Sequence, residues 1–393
     1  MLPLEGITVV ALEHAIAAPF CTRQLADQGA RVIKVERPGV GDFARGYDER
    51  VNGLASHFVW TNRSKESLTL DLKHEQADEV LSRLLQQADV LVQNLAPGAA
   101  ARMGLSYEVL SAQHPKLIVC DISGYGNDDA KPGPYRDKKA YDLLIQSESG
   151  FVSITGSEDE PAKAGCSIAD IAAGMYAYSN ILTALIQRGR TGRGKHIDVS
   201  MLESMVEWMS YPLYYAYQGA SPPPRAGAAH ATIYPYGPFT TGDGKVVMMG
   251  LQNDREWRIF CQQVMLQPGL ADDDRFNTNA RRTAAREALR GLITVAFEAM
   301  TAEQVVARLD AAGIANASVN SLADVWVHPQ LQARGRWTEV DTPAGRVPAL
   351  LPPGCVEARM DAVPALGEHS LSVLAGLGYG AGQIEQMRLD GVF

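Results

Sequence analysis

The chain has 393 residues, 46% apolar and 21% charged, an ordinary balance for a globular protein and more length than one hydrophobic core usually serves. Its net charge of −9 argues against a broad nucleic-acid-binding face, and no apolar run is long enough to span a bilayer. Five cysteines (Cys21, Cys120, Cys166, Cys261 and Cys355) stand singly with no C-x-x-C pair, which fits reduced structural thiols in a cytoplasmic protein and leaves no Cys-rich metal site.

The opening MLPLEGITVVALEHA lacks the basic flank and cleavage site of a signal peptide and reads as a strand. GITVVAL (6–12) is a short run rich in β-branched residues, followed by helix-like AAPFCTRQLADQGA (17–30). Further strands are predicted at RVIKVER (31–37), SLTLDL (67–72), DVLVQN (89–94) and KLIVCDIS (116–123), with a helix at EQADEVLSRLLQQA (75–88). Nearly all-apolar strands alternating with helices predict a parallel sheet covered on both faces. The fold class read here is α/β, with a Rossmann-like parallel-sheet large domain over 1–219.

After a predicted helix at 201–219, GASPPPRAGAAH (219–230) has the composition of a linker. A hairpin turning at Gly242-Asp243-Gly244 and helices near 253–265, 279–300 and 302–313 predict a smaller α+β domain over 220–325. The segment 326–393 carries a hairpin near TPAGRVP and a terminal helix from about 381.

AGCSIADIAAGMYAYSNIL (164–182) raises the main chemical question, because an Ala- and Gly-rich helix opens with a carboxylate, Asp170. Asp is a preferred N-cap, and it could also be a nucleophile kept ionised by the helix dipole. No G-x-G-x-x-G follows the first strand and no P-loop is present, so NAD- or ATP-dependent chemistry loses its main support. Arg37, Lys73, Asn94, Arg102 and Lys139 all lie beyond predicted strand ends, where open α/β sheets bind ligands, and together suit a ligand with phosphates at one end. Each alone reads as a solvated surface group.

RVIKVERPGVGDFARG, LDLK, NLAPGAAARMG, SIADIAAGMYA, RTGRGKHIDVSMLES, PYGPFTTGDG and PALGEHSLSVLAGLGY, in this order and spacing, resemble a family III CoA-transferase along nearly the whole chain. The resemblance implies that 326–393 returns to the large domain and that two ring-like chains interlock as a homodimer. It places the catalytic aspartate on Asp170. It places CoA contacts on Ile16, Ala17, Arg37, Leu70, Asp71, Leu72, Lys73, Asn94, Leu95, Ala96, Arg102, Lys139, Ala140, Tyr141 and Asp142. Asp142 reads equally as an acyl-orienting group and as a capping carboxylate. Coenzyme A enters as the acyl-CoA substrate, with no metal and no NAD.

Some members, formyl-CoA transferase among them, carry glutamine where this chain has Ile16, which points to a different acid. Arg225, His230, Tyr234 and Tyr236 cluster in sequence beside the linker, and His14 precedes Ile16; these are candidates for holding an acceptor's carboxylate. The resemblance is to members acting on itaconate, mesaconate, citramalate or glutarate with succinyl-CoA as donor. The alternatives are an α-methylacyl-CoA racemase, disfavoured because Tyr141 stands where such enzymes carry a histidine base, and a non-catalytic CoA-binding protein.

Overall fold

The computed structural model describes every residue except Asp129 and Val356. Two compact units form, one from residues 1–150, 164–209 and 331–393, the other from 151–163 and 210–330.

The first unit is built on a six-stranded parallel sheet of β1 (Thr8–Leu12), β2 (Arg31–Glu36), β3 (Lys65–Thr69), β4 (Val90–Gln93), β5 (Ile118–Ser123) and β6 (His196–Ser200) in the order β3-β2-β1-β4-β5-β6. Val9 to Leu12 and all of β4 are buried, as strands covered on both faces require. The order reverses between β1 and β4, which makes the C-terminal ends of these strands the topological switch point, where open α/β sheets bind ligands.

Three predicted elements shift. β3 runs 65–69 rather than 67–72, because its pairing with β2 ends at Glu36 opposite Thr69; Leu70 then turns into the core, and Leu72 packs against it. β6 was not read as a strand; HIDVS is a short run between a basic loop and a helix, and it pairs with β5. The predicted helix 201–219 breaks into Met201–Trp208 and Ser210–Tyr215. Pro212 has no N–H to donate to Trp208 four residues back, which ends the first ladder there. The second unit accordingly begins at 210 and also takes 151–163, against the sequence boundary at 219.

The C-terminal residues 331–393 belong to the first unit. Their hairpin pairs β10 (Trp337–Val340) with β11 (Val347–Leu350), and the Ser370–Gly376 and Ala381–Leu389 helices place Val373, Leu374, Ile384 and Met387 in the core beside Leu12, Leu68 and Leu84. The tail also covers the outer edge of β3. The N–H of His369 bonds the Ser67 carbonyl (3.0 Å), Ser370 Oγ accepts from the Thr69 N–H (3.0 Å), and Asp71 N–H reaches the Val392 carbonyl (2.8 Å). An edge strand left bare invites pairing with other chains; here the tail satisfies it.

In the second unit β7 (Tyr236–Thr240) and β8 (Val246–Gly250) form the expected hairpin, closed by Thr241 N–H to the Lys245 carbonyl and turned at Gly244, whose φ of 76° favours glycine. β9 (Ala315–Ser318) adds to β8, and Phe239, Trp257, Phe260, Phe276 and Phe297 fill the core.

Candidate active site

The loop after β1 starts at Glu13, which is fully buried. Its carboxylate accepts from Lys65 Nζ (2.7 Å), Lys34 Nζ (3.3 Å) and Thr22 Oγ1 (2.6 Å). Burial alone would push the Glu13 carboxyl up; the two ammonium groups outweigh it and hold it below the usual range. Lys34 also donates to Asp42 Oδ2 (2.8 Å), whose other oxygen accepts the Ala15 N–H (3.1 Å) and the Ala44 N–H (2.9 Å). Ala15 is thereby held at a φ of 62°, a left-handed conformation that costs an alanine on the order of 1 kcal/mol or more and needs such a brace. Across the switch point His14 N–H bonds Asn94 Oδ1 (2.9 Å) while Asn94 Nδ2 bonds the His14 carbonyl (2.9 Å), so the loops after β1 and β4 are tied together.

This bracing fixes Ile16 and Ala17 at the start of the Ala17–Asp27 helix, with the Ala17 N–H placed so that it favours the ionised form of the Asp170 carboxylate. Asp170 sits in the first turn of the Ile168–Thr191 helix, which Gly192 ends in a left-handed C-cap with its N–H on the Arg188 carbonyl. Two helix N-termini therefore meet at one half-buried carboxylate. The close approach depends on Gly174, because a Cβ there would lie 2.7 Å from the Ala17 carbonyl oxygen. Gly174→Val is expected to force these helices apart, costing about 1–3 kcal/mol and most of the activity; thermal unfolding and turnover on the same protein check it.

Asp170 is not the cap of its helix. Asp142 is: its Oδ1 accepts the Ala169 N–H (2.8 Å) and, more weakly, the Asp170 N–H (3.4 Å), while its Oδ2 takes Gln146 Nε2 (2.6 Å). The structure thus uses the Asp142 carboxylate for capping, one of its two sequence readings. It also corrects the expectation that the helix dipole keeps Asp170 fully ionised. Burial, then the nearby Asp142 charge, push the Asp170 carboxyl up to about 7 against the opposing Ala17 N–H. Near neutral pH it titrates.

The remaining predicted contacts fall where the sheet order puts them, beyond the C-terminal ends of parallel strands. Arg37 follows β2, exposed and without a side-chain partner among the described residues. Lys73 is exposed after β3, where Asp71 Oδ1 accepts its N–H (3.0 Å). Arg102 lies against Gly98, where a Cβ would come within 2.9 Å of its guanidinium, in the loop that begins at Asn94, Leu95 and Ala96. Ala140 packs on Gly124 beyond β5, which brings exposed Lys139 and Tyr141 beside Asp142. Leu70 is buried in the core, so only its backbone faces the strand end.

The predicted carboxylate holders lie in the second unit, apart from His14, which stacks on Phe43 (5.1 Å). Arg225, a candidate holder of an acceptor's carboxylate, donates its guanidinium to the backbone carbonyls of Ser157 (2.9 Å), Ser153 (3.4 Å) and Glu158 (2.7 Å) and pins that segment. His230 Nδ1 accepts the Thr232 and Ile233 N–H groups (3.1 and 3.0 Å), and its ring stacks on Tyr236 (5.3 Å), so both staple the linker. Tyr234 is a core residue.

A profile described as CoA-transferase family III matches residues 4–370. The chain belongs to that family. It is 35% identical to a mouse (Mus musculus) succinyl-CoA:glutarate CoA-transferase over 100% of this chain and 90% of the relative. It is 33% identical to a succinyl-CoA:mesaconate CoA-transferase of Haloarcula hispanica over 97% of this chain and 98% of the relative. A crystal structure of a CAIB/BAIF family protein from Brucella suis superposes with a TM-score of 0.83 at 35% identity, covering 96% of this chain and 99% of that one. Sequence reading of this family III chain missed Glu13, Lys34, Lys65 and Asp42, which brace the loop, and Gln146, which steadies Asp142. A signal for the first group existed: three charges at strand positions otherwise fit for burial, Lys34 and Lys65 with Glu13 just past β1. Among the described residues no group of three His, Cys, Asp or Glu side chains could hold a metal, and no helix is long and apolar enough to cross a membrane.

Proposed function

We propose that this family III CoA-transferase moves CoA from a donor thioester such as succinyl-CoA to a small dicarboxylic acid of the glutarate, mesaconate, citramalate or itaconate class, with Asp170 as the covalent nucleophile. The observation that carries it is the half-buried Asp170 carboxylate at the helix N-terminus that packs against the start of the Ala17–Asp27 helix, through Gly174 beside the Ala17 carbonyl. The printed activities of the mouse and Haloarcula relatives support the acid class.

In this reading ionised Asp170 attacks the donor thioester carbonyl and expels CoA thiolate, giving a mixed anhydride. The thiolate returns to the aspartyl carbonyl, releasing the donor as its carboxylate and leaving an aspartyl-CoA thioester. The acceptor carboxylate attacks that thioester, expelling the thiolate and forming a second anhydride. The thiolate then takes the acceptor's acyl carbon and Asp170 is regenerated as a carboxylate. The Ala17 N–H is placed to stabilise oxyanions on the aspartyl side. Arg37, Lys73, Arg102 and Lys139 supply positive charge along the C-terminal edge of a Rossmann-like sheet for the phosphates of CoA. The family reading also carries an interlocked homodimer, and the five single cysteines favour a cytoplasmic location.

The test is CoA exchange followed by mass spectrometry, with succinyl-CoA and a panel of mono- and dicarboxylic acids. A new acyl-CoA formed from a C5 dicarboxylate, and absent with Asp170→Ala, is the expected result. If no acid accepts CoA, or if the alanine variant transfers as well as the parent, the proposal fails.

A further inference from the structure

The second unit contains a cavity of about 680 Å³, a size typical of small-molecule sites. Part of its lining is apolar, from Pro222 to Pro224 with Ala226 and Ala229; the polar part comes from Tyr234, Thr283, Arg286 and Arg290. Tyr234 is 3% exposed, yet its hydroxyl has no hydrogen-bond partner among the described residues, and neither has the buried Thr283 Oγ1. Both oxygens have almost no accessible surface, so they lie behind the wall, and recognition of a ligand falls to the charged groups of the lining.

Positive charge converges on the same place. Arg286 and Arg290 stand four residues apart on the Arg286–Glu298 helix and share a face. Arg286 spends one terminal nitrogen on the His230 and Ala231 carbonyls (2.9 and 3.0 Å) and lies 5.0 Å from the Tyr234 ring centre, leaving the rest of its fork unspent. Exposed Arg290 makes no hydrogen bond or ion pair among the described residues. Glu158 and Glu287 also line the cavity, and Arg225, though engaged by carbonyls, keeps its charge, so three arginines face two glutamates and the balance is slightly positive. Burial pushes the Tyr234 phenol up to about 12 despite the two arginines, which keeps it a donor at physiological pH.

We infer that this cavity binds a small organic acid whose carboxylate or phosphate head is held by Arg286 and Arg290, with an apolar body of several carbons against Pro222 to Pro224. The assignment stands on the second unit alone and does not depend on the chemistry at Asp170.

Calorimetric titration of the full chain with hexanoate, hexyl phosphate and inorganic phosphate tests it, with no CoA ester present. At least one six-carbon probe is expected to bind saturably, and inorganic phosphate at least about tenfold more weakly because it leaves the apolar wall uncovered. Arg290→Gln, at an exposed residue with no partner to lose, is expected to weaken binding about tenfold or more. Absence of saturable binding by either six-carbon probe overturns the inference. So does binding that Arg290→Gln leaves unchanged, or inorganic phosphate binding as tightly as hexyl phosphate. CoA exchange is read separately, so failure here and failure of the transferase reading are distinguishable.

Discussion

Asp170→Ala is expected to reduce CoA transfer by about 10⁴-fold or more while leaving CoA binding within a few-fold, since it removes the group that forms the covalent bond and no phosphate contact. The aspartyl-CoA adduct, trapped and mapped by mass spectrometry in the parent protein, is expected to disappear. The parent should also show a rising pH dependence of kcat/KM through about 7, because the attacking species is the ionised carboxylate and burial has raised its pKa to that value. Asp142→Asn removes the neighbouring negative charge, so the midpoint of that rise should move to lower pH.

Stability should move in the opposite sense. A carboxyl whose pKa is higher in the folded chain than in the unfolded one binds its proton more tightly when folded. It therefore favours the fold below the unfolded value near 4, and this contribution fades as pH climbs through about 7. At pH 8 the charge is present and half-buried, at a cost of roughly 4 kcal/mol as an upper bound from the shift. Asp170→Asn should accordingly unfold at a higher temperature than the parent at pH 8 and show little difference at pH 4. A variant that is both inactive and no more stable at pH 8 would mean that the carboxylate is solvated and not poised.

The second large effect concerns Glu13. Glu13→Gln is expected to cost about 3–5 kcal/mol of stability, because it leaves buried Lys65 and Lys34 short of their shared counter-charge. Lys34 keeps Asp42, so Lys65 bears most of the loss. Adding Lys65→Met to Glu13→Gln should therefore restore a large part of the stability, measurable as a non-additive double-mutant cycle in denaturant. Transfer activity should fall even where the fold survives, since Glu13 begins the loop that carries the Ala17 N–H to Asp170. Full activity in a well-folded Glu13→Gln protein would show that the loop is held by Asp42 and Asn94 alone.

Much of this arrangement was legible in the residues. β1, β2, β4 and β5 are short apolar runs between turn signals, and the Gly242-Asp243-Gly244 hairpin announces itself by its turn. The helix that carries Asp170 could be read from its spacing, and the sheet order explains why Arg37, Lys73 and Asn94 fall along one edge. What escaped depends on contacts far apart in sequence. Asp142 caps a helix that starts 26 residues later, and nothing local to either segment says so. The engagement of Arg225 escaped because its partners are carbonyls, which every residue has and no side chain advertises. The break at 209 was different in kind, since Pro212 was visible and sufficient.

The covering of β3 by the tail has a consequence for how the protein is made. The ribosome delivers β3 early, but the groups that close its outer edge, at residues 369, 370 and 392, emerge last. At usual synthesis rates the interval is on the order of tens of seconds. Throughout it, the nascent sheet has a bare flank, with residues 210–330 of the second unit still being threaded out before the last segment of the first. The flank is thus a definite place for helper proteins that shield unfinished chains, until residues 369 to 392 close it.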